Sequence, residues 1–90
     1  MEVEYKPSFI KDFNKIKKRK DQEGVYKICF EDILKIDDLS EIRNLKKIKG
    51  YDHYYRIRRG DYRIGFKFDG NRIIFMRVLR RDSIYSYFPK

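Results

Sequence analysis

Apolar residues at the start of the chain recur at a spacing that predicts a short strand followed by a helix. Met1 to Tyr5 fits a short first strand, and Pro7-Ser8 supplies a break and a residue type that commonly caps a helix. Up to the basic run Lys17 to Lys20, the apolar residues keep helical spacing and are Phe9, Ile10, Phe13 and Ile16. This pattern predicts a first amphipathic helix.

A second apolar series with helical spacing follows the basic run. Asp21 is placed to cap the helix that this series predicts. The apolar positions keep a period of about 3.6 residues and are Val25, Ile28, Cys29, Ile33 and Ile36. The acidic pair Asp37-Asp38 ends the pattern, so we expect two helices that pack side by side.

From Leu45 onward the pattern changes to alternation between apolar and polar residues. Gly50, Gly60 and Gly70 interrupt it at intervals that suit turns between antiparallel strands. The sequence therefore predicts an α+β fold, with two N-terminal helices packed on one face of a twisted antiparallel sheet of about four strands. A chain of 90 residues closes one modest core, so residues 1–90 are expected to form a single domain.

The turn signals also predict which strand residues stand opposite each other. A two-residue turn at Arg59-Gly60 places Arg56 opposite Arg63, and a turn at Asp69-Gly70 pairs the last two strands. Alternation then gathers one apolar face for the helices, namely Tyr55, Ile57, Tyr62, Ile64, Phe66, Ile73 and Phe75. The other face is predicted to carry Arg56, Arg58, Arg63 and Arg80, with Met76 and Val78 between them.

The net charge of the chain indicates what this second face binds. The chain has 23 lysines and arginines against 14 acidic residues, a net charge of +9, which favours a partner such as nucleic acid, an acidic membrane surface or an acidic protein. Like charges directly opposite each other, as predicted for Arg56 and Arg63, destabilise a sheet. A merely solvated strand face explains the arginines but not the opposed pair, so we interpret this face as a phosphate-binding surface.

Other features of the composition limit which kinds of functional site the chain can have. The single cysteine, Cys29, lies in an apolar helical pattern and is interpreted as a small core residue rather than a catalytic thiol. No apolar run approaches the roughly 20 residues of a membrane span, and the N-terminus MEVEYKPS does not resemble a signal peptide. We therefore expect a soluble, cytoplasmic protein whose functional site is a surface patch or a shallow cleft.

The run from Leu45 to Tyr85, LKKIKGYDHYYRIRRGDYRIGFKFDGNRIIFMRVLRRDSIY, resembles the core of the RelE/ParE toxin superfamily. The shared features are a Leu-Lys-Gly-like lead, a Tyr-Arg-Ile-Arg strand, a Gly-Asp-Tyr-Arg turn and strand, a hydrophobic last strand and an Arg-x-x-x-Tyr-like end. Members are the toxins of toxin–antitoxin pairs, in which the RelE branch cleaves messenger RNA in the ribosomal decoding site and the ParE branch inhibits DNA gyrase. The resemblance implies a RelE-like fold and a RelE-like toxin.

The resemblance also implies a cleavage site and its partners. The implied catalytic residues are Arg56, Arg58, Arg63, Arg81 and Tyr85, and the implied RNA contacts are Lys47, Lys49, His53 and Arg80. The implied reaction is attack of a ribose 2′-hydroxyl on the adjacent phosphate, which leaves a 2′,3′-cyclic phosphate and a 5′-hydroxyl and needs no metal or other cofactor. The implied partners are a cognate acidic, RelB-like antitoxin, the ribosome and messenger RNA.

The sequence offers more than one candidate for the general base of this reaction. Relatives have lysine where this chain has Arg56 and Arg58, and arginine cannot accept a proton near neutral pH. Tyr85 and His53 are the two candidates, Tyr85 also for orienting the RNA. Relatives often have a Gly-His-like pair in place of Leu79-Arg80, which supports a ParE-like, non-nucleolytic gyrase inhibitor as the alternative. A catalytically weak RNA-binding domain of the same fold is a third hypothesis.

Overall fold

The computed structural model describes residues 1–89, and the end of the predicted domain at Lys90 lies outside them. Within that part of the chain one sheet contains β1 (Glu2–Tyr5), β2 (Leu45–Lys47), β3 (Tyr54–Arg59), β4 (Tyr62–Phe68) and β5 (Arg72–Arg80). The spatial order is β1-β5-β4-β3-β2, with β1 parallel to β5 and the other neighbours antiparallel. The α+β class is confirmed, and the sheet is mixed and five-stranded because the distant first strand pairs with β5.

The helical segments lie close to their predicted positions. They are α1 (Pro7–Asn14), α2 (Arg19–Tyr26), a π-helical turn (Lys27–Glu31), two 3₁₀ turns (Asp32–Lys35 and Leu39–Glu41) and α3 (Ile84–Tyr87). Helix α2 begins inside the basic run, after the extended residue Lys18, so the expectation that Asp21 caps it is wrong. Asp21 lies instead in the first turn, where a carboxylate interacts favourably with the helix dipole.

The core lies between the helices and the predicted apolar face of the sheet. Its buried members are Phe9, Ile16, Val25, Cys29 and Ile33 from the helical half, with Ile57, Ile64, Phe66, Ile73, Phe75 and Val78 from the sheet. Phe9 of α1 packs on Phe75 of β5, with ring centroids 5.3 Å apart. Burial of this apolar surface is the main force that holds the two layers together. Cys29 is a buried free thiol, as its position in the pattern predicted.

The β3–β4 turn differs from the predicted turn by one residue. Gly60 and Asp61 occupy its two central positions, so Arg59 pairs with Tyr62 and Arg58 pairs with Arg63. The predicted pairing of Arg56 with Arg63 is therefore wrong. The pairing has moved by two residues, which preserves the alternation of side chains, and Arg56, Arg58 and Arg63 still point away from the helices.

A β-bulge in β5 changes the face on which later residues lie. Phe66 pairs with Phe75 but Gly65 pairs with Arg77, which leaves Met76 as an extra residue. One extra residue reverses the alternation, so Val78 enters the core and Arg80 stands opposite Tyr62. Both had been predicted on the arginine face, and both predictions are wrong for this reason.

The bulge is held from both sides of the sheet. On the helix side, the buried carboxylate of Asp12 accepts hydrogen bonds from Arg77 Nε at 2.7 Å and from the Val78 amide at 3.1 Å. On the other side, the Phe88 ring lies so close to Gly65 that a Cβ there would stand 2.7 Å from the ring. The C-terminal segment therefore covers part of the second face, beside the arginines.

Candidate functional site

The arginine face is built around Arg63. Its Nη1 donates to the carbonyl oxygen of Gly60 at 2.9 Å and to that of Tyr62 at 3.0 Å, so the turn that precedes it holds its guanidinium. Burial lowers the pKa of Arg63, and the positive charges of Arg56 and Arg58 lower it further. Arginine nonetheless keeps its proton near neutral pH, and the face presents several fixed positive charges to solvent.

Arg81 and Tyr85, from the C-terminal end of the chain, lie on the same face as Arg63. The Arg81 amide donates to the Asp61 carbonyl oxygen at 2.8 Å, which ties the end of β5 to the β3–β4 turn. Tyr85 lies in the short helix α3, and both it and Arg81 are close enough to Arg63 to affect the pKa of its guanidinium. Ile84 and Phe88 are buried while the Tyr85 side chain is 54% exposed, so the segment is anchored and the tyrosine faces solvent.

Arg56 extends the site toward the edge strand β2. Its Nη1 donates to the Asn44 carbonyl oxygen at 3.2 Å, and its buried Nε has no hydrogen-bond acceptor among residues 1–89. Lys46 stands directly opposite Arg56 on the same face. Sequence reasoning missed Lys46, because only the register between β2 and β3 decides which lysine of the run Leu45 to Lys49 joins the arginines.

A shallow depression of about 260 Å³ lies at this edge. Its lining consists of Lys46, Lys47, Ile48, Lys49, Arg56 and Tyr85. The predicted RNA contacts Lys47 and Lys49 are therefore brought together with two of the predicted catalytic residues. The lining combines basic side chains with one aromatic ring, a combination that suits a nucleotide, since phosphates attract cations and bases stack on rings.

Two of the predicted site residues lie elsewhere. His53 precedes β3, and its carbonyl oxygen accepts a hydrogen bond from the Phe68 amide at 2.9 Å, at the end of the sheet away from the β3–β4 turn. Along an extended strand it stands about 10 Å from Arg56. Arg80 lies on the helix side with Asp12, Lys15 and Tyr62 around the same hollow. The structure thus brings the five predicted catalytic residues together with Lys47 and Lys49. It places the other two predicted RNA contacts, His53 and Arg80, away from them.

The charges of the arginine face have no acidic partners within the described chain. The ion pairs between residues 1 and 89 involve Arg19, Lys27, Arg72 and Arg77, and none includes Arg56, Arg58, Arg63 or Arg81. The face can therefore bind an anion through several guanidinium groups at once.

Residues 1–89 also contain no cluster of His, Cys, Asp and Glu that would hold a metal ion. None of the helices in this range has the length and apolar character needed to cross a bilayer.

Known proteins of similar sequence and structure exist. Residues 3–85 match the model of a family described as the ParE toxin of the type II toxin–antitoxin system, parDE. Toxin RelE3 of Methanocaldococcus jannaschii is 44% identical over 94 residues, which cover 99% of this chain and 100% of that protein. The solved RelB–RelE antitoxin–toxin complex from Methanococcus jannaschii contains a chain that is 41% identical, with a TM-score of 0.81, and the match covers 97% of this chain and 100% of that one.

A more distant structure shows the same fold. YafQ from E. coli strain BL21(DE3) superposes with a TM-score of 0.70 over 91% of this chain and 94% of that one, at 18% identity. At this identity the two chains share the fold alone, so the architecture of helices and sheet tolerates wide sequence change.

Proposed function

The chain belongs to the ParE toxin family of type II toxin–antitoxin systems, and we propose that it acts as a RelE-like toxin that cleaves messenger RNA on the ribosome. One observation carries the proposal. Arg58 stands opposite Arg63, Arg81 is tied to the turn that holds Arg63, and Tyr85 shares a depression with Arg56, on a face whose arginines have no acidic partners in the described chain. That is the arrangement expected for stabilising a phosphate that gains negative charge.

The proposed reaction begins with attack of the ribose 2′-hydroxyl oxygen on the adjacent phosphorus. The 2′-hydroxyl proton leaves, the bond from phosphorus to the 5′ oxygen breaks, and that oxygen takes a proton to become a 5′-hydroxyl. Arg63, Arg58 and Arg81 bind the extra negative charge of the pentacoordinate intermediate. No metal ion is required, because the arginines supply the positive charge.

Tyr85 is the proposed residue for proton transfer or for placing the reacting nucleotide. It is the exposed side chain beside Arg63 that carries an exchangeable hydroxyl proton, whereas arginine cannot give up its own. Lys46, Lys47 and Lys49 are proposed to bind the RNA backbone next to it. Messenger RNA is then the substrate and the ribosome is the partner on which it is cut, and the protein acts in the cytoplasm.

The proposed partner that keeps the toxin inactive is an acidic antitoxin. RelB and RelE were solved together as an antitoxin–toxin complex, and we infer an equivalent partner for this chain. An apolar groove of about 350 Å³, lined mainly by isoleucines, offers a place for an amphipathic helix. Arg43 and Arg59 in its lining suit acidic side chains of that helix, whereas Asp32 and Glu41 in the same lining suit basic ones.

A second candidate is inhibition of DNA gyrase without nuclease activity. The matching family model is that of ParE, and two positions that are lysine in RelE-like nucleases are Arg56 and Arg58 here. This candidate predicts DNA damage in cells with intact messenger RNA.

Expression in growing cells separates the two candidates. The chain and its Arg63→Ala variant are induced with and without a co-expressed candidate antitoxin, an acidic protein expected to be encoded beside the toxin, and RNA 5′ ends are mapped by primer extension. Cuts in phase with codons that depend on Arg63, and growth rescue by the acidic partner, are the expected results. Induction of the SOS response with uncut messages would overturn the nuclease proposal in favour of gyrase inhibition.

A further inference from the structure

We infer that the β3–β4 turn, through Gly60, is a positioning element that orients Arg63 and Arg81 toward the RNA phosphate. The inference rests on the proposed function for the identity of the anion. It concerns how the fold presents two arginines that no acidic side chain pairs with between residues 1 and 89.

Three successive carbonyl oxygens of the turn bind these two arginines. Those of Gly60 and Tyr62 accept from Arg63 Nη1 at 2.9 and 3.0 Å, and the one between them, of Asp61, accepts from the Arg81 amide at 2.8 Å. The side chain of Arg63 and the backbone of Arg81 therefore share one short support. Because both bonds to Arg63 use Nη1, its Nε and Nη2 remain available for a phosphate.

The direction of these carbonyls depends on the backbone at Gly60. Gly60 has φ +57° and Asp61 does not share the positive φ, a combination that favours glycine at the first central position of a two-residue hairpin turn. A residue with a Cβ would shift the turn toward another backbone geometry and rotate the carbonyls.

Packing does not explain the glycine. A Cβ added at Gly60 meets no atom within 4 Å, so a side chain would fit there. Gly70, in the β4–β5 turn, has φ +97° and equally open surroundings, but the Arg63 and Arg81 hydrogen bonds do not reach it. Gly60→Ala and Gly70→Ala are therefore matched substitutions: both add a methyl group in a strained turn, and only the first is predicted to disturb the arginines.

The first measurement needs no RNA. Relaxation of the Arg63 Nε–H group by ¹⁵N NMR should show an ordered side chain in the wild type and in Gly70→Ala, and a mobile one in Gly60→Ala. Gly60→Asn should lie between them, because asparagine tolerates positive φ better than alanine. An Arg63 group that is equally ordered in Gly60→Ala overturns the inference.

The second measurement is a double-mutant cycle on single-turnover cleavage of ribosome-bound message. Gly60→Ala should slow cleavage roughly 10- to 100-fold, as expected for a displaced catalytic group, while Gly70→Ala stays within about twofold. In an Arg63→Ala background, Gly60→Ala should slow cleavage by a smaller factor than it does in the wild type, because only the part of its effect that acts through Arg81 remains. Full additivity would show that the turn does not act through Arg63.

Failure of the proposed function is recognised separately. If the wild type cuts no message while Arg63 loses order only in Gly60→Ala, the nuclease proposal falls and the positioning role of the turn stands. If the wild type cuts and neither the order nor the rate depends on Gly60, the positioning role falls and the nuclease proposal stands.

Discussion

Arg58 and Arg63 stand directly opposite each other across β3 and β4, although both side chains are positively charged. Such a pair destabilises a sheet unless something else offsets the repulsion. Arg63 is held by two carbonyl oxygens of its own turn, and neither arginine belongs to an ion pair within residues 1–89. Under the proposed function, the anion that this face binds supplies the remaining compensation, so stability without RNA and cleavage activity should respond in opposite directions to changes at this pair.

The first prediction follows for Arg58. Arg58→Gln removes the repulsion and should raise the free energy of unfolding by roughly 0.3 kcal/mol, while it lowers the rate of RNA cleavage. Urea unfolding and single-turnover cleavage measure the two effects. Arg43→Gln, which removes an equal charge away from the pair, is the control, and an equal gain in stability there would contradict the explanation.

The second prediction concerns Arg63. Arg63→Ala should reduce cleavage by at least about 100-fold, the scale seen when one group that binds transition-state charge is removed. Arg63→Lys should restore only part of the rate, because lysine lacks the planar fork that binds two phosphate oxygens. Arg19→Ala, on an 89% exposed side chain of α2, is the control and should keep the wild-type rate. A normal rate in Arg63→Ala would exclude the phosphate-binding role.

The third prediction separates the two candidates for proton transfer. Tyr85 lies beside Arg63, whereas His53 lies toward the other end of β3. Tyr85→Phe should lower the single-turnover rate by roughly 100-fold or more, and His53→Ala should leave it within about twofold. The opposite ranking of these two variants would assign the proton transfer to the histidine.

The fourth prediction concerns the support beneath the bulge. Asp12 is 7% exposed and binds Arg77 through both carboxylate oxygens, at 2.7 and 3.0 Å. Asp12→Asn leaves a partly buried positive charge without its partner and should lower the free energy of unfolding by about 2 kcal/mol. Glu4→Gln breaks the exposed pair with Arg72 and should cost no more than about 0.5 kcal/mol. Thermal unfolding of both variants checks the difference, and equal losses would contradict it.

The fifth prediction is a pH dependence. Burial raises the pKa of the Cys29 thiol well above its ordinary value. As the pH rises past about 8.5, the thiol of the unfolded chain loses its proton first, which favours unfolding. The free energy of unfolding should therefore be unaffected by this group below that pH and should fall above it. Cys29→Val should lack this part of the alkaline decline in urea unfolding at pH 7 to 10, and identical curves would refute the assignment.

Much of the fold and part of the site were predictable from local pattern. Helical spacing identified α1 and α2, and strand alternation identified the face that covers the core. Alternation also placed Arg56, Arg58 and Arg63 together, and that result survived an error in the turn because a shift of two residues does not exchange faces. The family resemblance implied Arg81 and Tyr85, which local pattern could not connect to the strands.

The sequence by itself determined the α+β class, the two-faced sheet and a cationic surface, because periodicity depends only on neighbours along the chain. Only the tertiary structure decided that Arg58 faces Arg63, that Lys46 joins them and that Arg80 leaves them. Turn position and strand register are choices among pairings of similar local energy. Distant contacts hold the pairing seen here: Phe88 packs on Gly65 and the Asp12 carboxylate binds at the bulge.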